Sequence, residues 1–272
     1  MKFRNYLKSR LVNPEVAAAF DRMPVNVGKL GFDPWGFNPD AAKIALTMVR
    51  VLYEKYFRVQ AHGLEHIPRH GRVLIIPNHS GQLPMDGVMT GYAVATNPHG
   101  PRIARAMIER FFPTVPWLGN LMNQIGGIVG DPVNCIKLLQ REEAVIVFPE
   151  GVRGSGKPYR LKYQLQRFGA GFMHLAMEHK TPIIPVGIVG CEETMPSLGS
   201  IDPLARMLGI PYVPIAPLIP LPARVILNFG APLHFEGRIE NEGQVVEHVE
   251  RVKDEIRRLI DKGLSERTSV FA

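Results

Sequence analysis

The chain has 272 residues, 46% of them hydrophobic and 21% charged, with a formal net charge of +7. That length and apolar content allow a full core and exclude a disordered or low-complexity chain. Two cysteines, Cys135 and Cys191, fall in no metal-type spacing and suit a reduced chain, and the basic balance points to anionic partners: a membrane surface, a phosphorylated ligand or nucleic acid.

The first fifteen residues, MKFRNYLKSRLVNPE, are basic but hold no apolar stretch of signal-peptide length. No run reaches the about 18 apolar residues of a membrane span. A reduced, cytoplasmic chain is therefore expected. Residues 1–37 read as an N-terminal arm, with a short helix over 14–23 and a turn-rich aromatic stretch over 28–37. Residues 38–272 read as one α/β domain. Its first helix opens at Asn38-Pro39-Asp40, cap then proline, and runs to about residue 57. Ile44, Met48, Val51, Leu52 and Tyr56 form its apolar face, while Lys43, Arg50, Glu54 and Lys55 suit a helix packed on the domain, the favoured reading, or lying on a bilayer, and not one crossing it.

Residues 57–61 are a candidate strand, and 73–76 are the apolar run of a buried one. Pro77-Asn78 ends that strand and His79 follows at its mouth, where open α/β sheets place their chemistry. Pro84 can open a helix, with Asp86 in its first turn, favoured there by the helix dipole. A turn between them can bring Asp86 to one imidazole nitrogen, fixing the tautomer and freeing the other nitrogen as a base. From the pair alone, a structural histidine at a strand end stands level with that reading. The spacing then predicts a helix over 87–96, a strand over 102–107, a helix over 114–125, a strand in GGIVG (126–130), a helix over 133–141 and a strand over 144–148. A helix over 165–178 with Phe168, Phe172 and Leu175 inward, and a strand over 183–189, complete the alternation. Strands alternating with helices predict a mostly parallel sheet covered on both faces.

Residues 204–222 are strongly apolar yet hold five prolines, which excludes a regular helix or central strand across them. A buried loop and an apolar flap at a lipid site or membrane both fit, with a slight lean to the flap. A last strand over 223–229 and an amphipathic helix over 245–260 close the domain.

FPEGVRGSGKPYR (148–160) follows the strand at 144–148 and gathers Glu150, Gly151, Arg153, Lys157 and Arg160. Gly151 to Lys157 matches G-x-x-x-x-G-K, but Pro158 stands where a nucleotide-binding loop needs a hydroxyl for magnesium. His79 and Asp86 have no second histidine in metal-ligand spacing, so no metal is expected. The other histidines (62, 66, 70, 99, 174, 179, 234, 248) read as isolated surface or packing residues. Scattered basic residues and 8% aromatics argue against nucleic acid.

NHSGQLPMDG, FPEGVRGSGK and TPIIPVGIVG, in that order, resemble the glycerolipid acyltransferase family that includes the lysophosphatidate acyltransferases, over about residues 57–235. The resemblance implies transfer of a fatty acyl group from an acyl thioester to a lysophospholipid or glycerolipid hydroxyl. The thioester, on coenzyme A or acyl carrier protein, is a co-substrate, and no cofactor is implied. On the matching positions His79 is the general base and Asp86 its orienter, Glu150 and Gly151 hold the acceptor, and Arg153, with Lys157 or Arg160, meets its head group. The family usually has four residues between His and Asp; here six intervene. The family's F-I-D-R block, whose arginine contacts an acceptor phosphate, corresponds here to GGIVGDPVN, with Asp131-Pro132 and no arginine. Phosphate recognition then falls to Arg153, Lys157 or Arg160, or the acceptor has none. A peripheral position on the inner, anionic face of a membrane follows from substrate solubility. A lipid-binding scaffold that has lost activity through the lengthened turn is the alternative.

Overall fold

The computed structural model describes residues 11–115, 117–209 and 212–271. Residues 1–10 of the arm and 210–211 of the proline-rich stretch lie outside the described residues. Asn13 caps α1 (Pro14–Asp21), and Asn38 caps α2 (Pro39–Val51), which continues into a π-helical turn over Leu52–Tyr56. The sheet has seven strands: β1 (Gln60–His62), β2 (Val73–Pro77), β3 (Ala104–Ile108), β4 (Gly127–Val129), β5 (Ala144–Ile146), β6 (Ile183–Val189) and β7 (Ile226–Phe229), in the order β1-β7-β6-β2-β5-β3-β4. Five of them, β6-β2-β5-β3-β4, are parallel. β7 runs antiparallel to β6, and β1 pairs parallel with β7.

The helices between the strands are α3 (Met85–Ala95), α4 (Leu118–Gln124), α5 (Pro132–Gln140), α6 (Val152–Ser155), α7 (Gly171–Glu178), α8 (Cys191–Thr194) and α9 (Asp202–Leu208), and α10 (Glu242–Glu266) follows the last strand. Successive residues of a strand face opposite sides, and β2 shows how the sheet uses this. Leu74 and Ile76 enter one core with Leu138 and Leu139 of α5, Phe172 and Met173 of α7, and Val245, Val249, Val252, Ile256 and Ile260 of α10. Val73 and Ile75 enter the other, with Met89, Ala93 and Val94 of α3 and with Phe57. Helices thus cover both faces, as the alternation of elements predicts. No described helix is long and apolar enough to cross a membrane.

Residues 11–37 fold onto this body. Val16, Ala19, Phe20, Met23 and Phe37 share a third core with Ala42 and Ala95. Asp33 Oδ1 accepts from the backbone N–H of Trp35 and Phe37, and its Oδ2 accepts from Arg105 Nη1 at 2.6 Å. The pair is almost completely buried, beneath the rings of Trp35 and Phe37.

Several boundaries differ from the sequence reading, each for a local reason. The strand expected over 57–61 begins only at Gln60, because Arg58 is left-handed at φ 45° and Phe57 turns into the core. The helix expected from 165 begins at Gly171; upstream, the N–H groups of Tyr163 and Gln166 are taken by the Glu192 and Glu150 carboxylates. The helix expected over 114–125 is shortened to α4, preceded by a 3-10 turn at Phe112–Thr114. α9 enters the stretch read as non-helical, stopping short of its first proline. α10 outruns its prediction at both ends, opened by the cap that the Asn241 side chain supplies to Gln244 N–H.

Candidate active site

The parallel strands bring their carboxyl ends to one edge. There β2 delivers His79, β3 Glu109, β5 Phe148 and Glu150, and β6 the segment that becomes α8. Asn78, fully buried, locks the end of β2 to β6: its Nδ2 donates to Ile188 O at 3.1 Å and its Oδ1 accepts from Ile188 N at 2.7 Å. His79 comes next. Its Nδ1 lies 2.6 Å from Asp86 Oδ2. Asp86, fully buried in the first turn of α3, also accepts from Ser80 N at 2.8 Å and from its neighbour Gly87 N at 2.7 Å. The ring's other nitrogen, Nε2, has no protein partner among the described residues.

The six-residue turn is held, not slack. Gly81 has φ +89°, and an added Cβ would stand 2.9 Å from Cys191 O, so the backbone passes where only glycine fits. Tyr212 Oη donates to Gln82 O at 3.2 Å, and Gln82 Nε2 donates to Lys157 O at 3.1 Å. These contacts let a long turn deliver the short His–Asp distance.

Glu150 is a strut behind the histidine. Its Oε1 accepts from His79 N at 2.8 Å and its Oε2 from Gln166 N at 2.7 Å, so both oxygens serve backbone and the residue is buried. Gly151 has φ +53° and faces Glu109, whose Oε1 would lie 3.3 Å from an added Cβ. Arg153, on α6, and Arg160, in the 3-10 turn Tyr159–Leu161, are exposed. Lys157 points inward: its Nζ is 2.7 Å from Glu192 Oε1, and it also donates to Gln164 O at 3.2 Å. Burial pushes the Glu192 carboxyl up to about 7 against the opposing pull of Lys157. The structure thus brings Asp86 and Glu150 onto His79; of the residues singled out, His79 and Asp86 line the cavity, while Glu150, Gly151, Arg153, Lys157 and Arg160 do not.

That cavity, about 170 Å³, runs from His79 between α2, α3 and the outer strands. Ala45, Leu46 and Val49 of α2, Tyr92 of α3, and Met107 of β3 are among the residues that make its wall apolar. Phe148 packs on the imidazole with ring centroids 4.4 Å apart. Burial alone would lower the His79 pKa; the Asp86 carboxylate, through charge and hydrogen bond, then Glu150 and Glu109, more than reverse this and raise it. Among the described residues, no group of three or more His, Cys, Asp or Glu side chains could hold a metal ion.

One residue at this site escapes sequence reading. Gly154 lies so close that an added Cβ would stand 2.7 Å from the Cβ atoms of both Glu150 and His79. The only signal was a loop rich in glycine, which does not say which glycine backs the imidazole. Gly154→Ala should push the ring off Asp86 and lower turnover about 100-fold, as small misplacements of catalytic groups do. Circular dichroism should stay native; wild-type turnover in this variant would show that the contact does not set the ring.

Residues 58–189 match the acyltransferase family model. The chain is 33% identical over 260 residues to an uncharacterised protein of Mycobacterium tuberculosis, covering 90% of this chain and 72% of that one. It is 30% identical over 210 residues to the DGAT1/2-independent enzyme synthesizing storage lipids of Bos taurus, covering 75% of this chain and 59% of the relative. Its fold is similar to the crystal structure of the 1-acyl-sn-glycerophosphate (LPA) acyltransferase PlsC of Thermotoga maritima, with a TM-score of 0.56, 16% identity, and coverage of 98% of this chain and 99% of that one.

Proposed function

The chain belongs to the acyltransferase family, and from that premise we propose that it moves a fatty acyl group from an acyl thioester to a hydroxyl of a lysophospholipid or glycerolipid, with His79 as base. The observation that carries this reading is the His79–Asp86 pair, 2.6 Å apart, at the head of an apolar cavity. Asp86 holds the proton on Nδ1, which leaves Nε2 to take the proton of the acceptor hydroxyl. The oxygen attacks the thioester carbonyl, the C–S bond breaks, and the imidazolium returns the proton to the departing thiolate. The products are an ester and a free thiol, of coenzyme A or acyl carrier protein. Asp86 also stabilises the imidazolium while it lasts. No enzyme nucleophile takes part, because transfer is direct. Glu150 and Gly154 aim the ring, and the apolar wall shelters the acyl chain. Incubation with radiolabelled acyl-CoA and a panel of lysolipids and glycerides tests the reading, with His79→Ala as control. Labelled ester formed only by the wild-type chain supports it; equal product from both chains rules the mechanism out.

The proposal extends to a membrane surface. Backbone hydrogen bonds pair residues 198–201 with 213–215, and the flap they brace bears exposed Leu198, Met207, Leu218 and Ile219, with Leu218 98% accessible. Tyr159 N donates to Ser197 O, which brings exposed Arg160 and Lys162 beside this flap, while exposed Arg206 lies within α9. Apolar tips with a basic rim suit an anionic bilayer, where each surface cation contributes about 1 kcal/mol. Leu218→Asp with Ile219→Asp should lose sedimentation with anionic vesicles and keep activity on a water-soluble acceptor. Unchanged sedimentation would remove the flap from the contact.

A further inference from the structure

We infer that the acceptor taken beside His79 is an uncharged lipid hydroxyl, that of a monoacylglycerol, diacylglycerol or long-chain alcohol, and not a lysolipid bearing a phosphate monoester. This rests on the acyl-transfer reading and names the substrate class of the same site.

One cavity adjoins the imidazole, and a second neighbours that cavity without His79 in its lining. The first is the apolar one described above; the second lies across Met107, Ile108, Glu109 and Phe148, which line both, and extends to Asp131, Phe172 and Leu175. Among the described residues, no lysine or arginine lines either. The charged side chains that do are Asp86, Glu109 and Asp131, all acidic. Asp86 is engaged by His79 and backbone, and Asp131 caps α5 through Val133 N at 2.8 Å, which leaves Glu109 facing the space an acceptor would fill. Asp86, then Glu150 and Glu109, all favour the cationic form of His79, as carboxylates beside a ring do.

Three nearby cations are committed elsewhere. Lys157 is buried against Glu192, Arg105 against Asp33, and Arg110 reaches Asp131 at 3.5 Å from an exposed position. Arg153, on α6, and Arg160, in the turn that follows it, are exposed and line neither cavity. A phosphate dianion at the mouth would face unneutralised carboxylate with no partner for its oxygens. A hydroxyl on an uncharged glyceride asks for nothing the site lacks: a base, an apolar wall and room.

The test uses the full chain, one acyl-CoA donor, and acceptors of matched acyl length: lysophosphatidate, monoacylglycerol, diacylglycerol and a long-chain alcohol. Acylated product and released thiol are both measured. The expected result is a kcat/KM for at least one uncharged acceptor about 100-fold or more above that for lysophosphatidate. Glu109→Gln should narrow this gap by raising lysophosphatidate use. Lysophosphatidate acylated as well as or better than every uncharged acceptor overturns the inference, and so does a gap indifferent to Glu109→Gln. Loss of such lysophosphatidate acylation in Arg153→Ala would further identify the rim arginine as the phosphate partner, against the inference. Absence of both ester and His79-dependent thiol release with every acceptor instead refutes acyl transfer itself.

Discussion

His79→Ala should lower kcat/KM for acyl transfer by about 10²–10⁴-fold, the range a positioned general base contributes. The chain should still fold, because the side chain borders a cavity and Asp86 keeps the N–H groups of Ser80 and Gly87 when the imidazole is gone. Steady-state kinetics beside a thermal unfolding curve separate the two effects. Near wild-type turnover would end the catalytic assignment. The pH dependence gives a second handle. The proposed base acts as the neutral ring, which is depleted as pH falls through the folded-state pKa. Burial pulls that pKa down, but Asp86, Glu150 and Glu109 together hold it above the ordinary histidine value. The acid limb of kcat/KM should therefore lie above about pH 6.5. Stability moves the other way: the contribution of a His with a raised folded pKa is complete below its unfolded value and lost as pH rises through the folded one.

Asp33→Ala should cost about 3–5 kcal/mol of folding stability, the penalty for leaving one partner of a buried ion pair alone. Asp33 supports three groups at once, the Arg105 guanidinium and the N–H groups of Trp35 and Phe37. Without it a cation is stranded on β3 and the segment before α2 loses its tether. The denaturant midpoint should fall, and Asp33→Ala combined with Arg105→Met should recover much of the loss, since the second change removes the stranded charge. A single variant as stable as wild type would show that residues 11–37 contribute little to the fold.

Much of this architecture could be seen before any coordinates. The strands at 73–76, 144–146 and 183–189 announce themselves as unbroken apolar runs, because strands covered on both faces have no side to spare for polar residues. The order of the His79, Glu150 and β6 blocks carries the fold class with them. What stays hidden depends on partners far along the chain. Nothing near Glu150 says that its two oxygens go to residues 79 and 166, and nothing near Lys157 foretells Glu192. Long-range bonds of the same kind hold the segment before α7, so a helix start misjudged by six residues and the inward turn of Lys157 toward Glu192 have related causes. Local periodicity reports what a segment prefers and not which remote carboxylate will claim its N–H groups.

The six residues between His79 and Asp86 bear on how such proteins are recognised. The surplus loop is folded away against Cys191 and Tyr212, so the separation of the pair is fixed by the end of β2 and the first turn of α3 rather than by the count of residues joining them. A genome scan built on a rigid ruler would discard chains of this design, whereas one that tolerates a variable insert and asks only for both anchors would retain them.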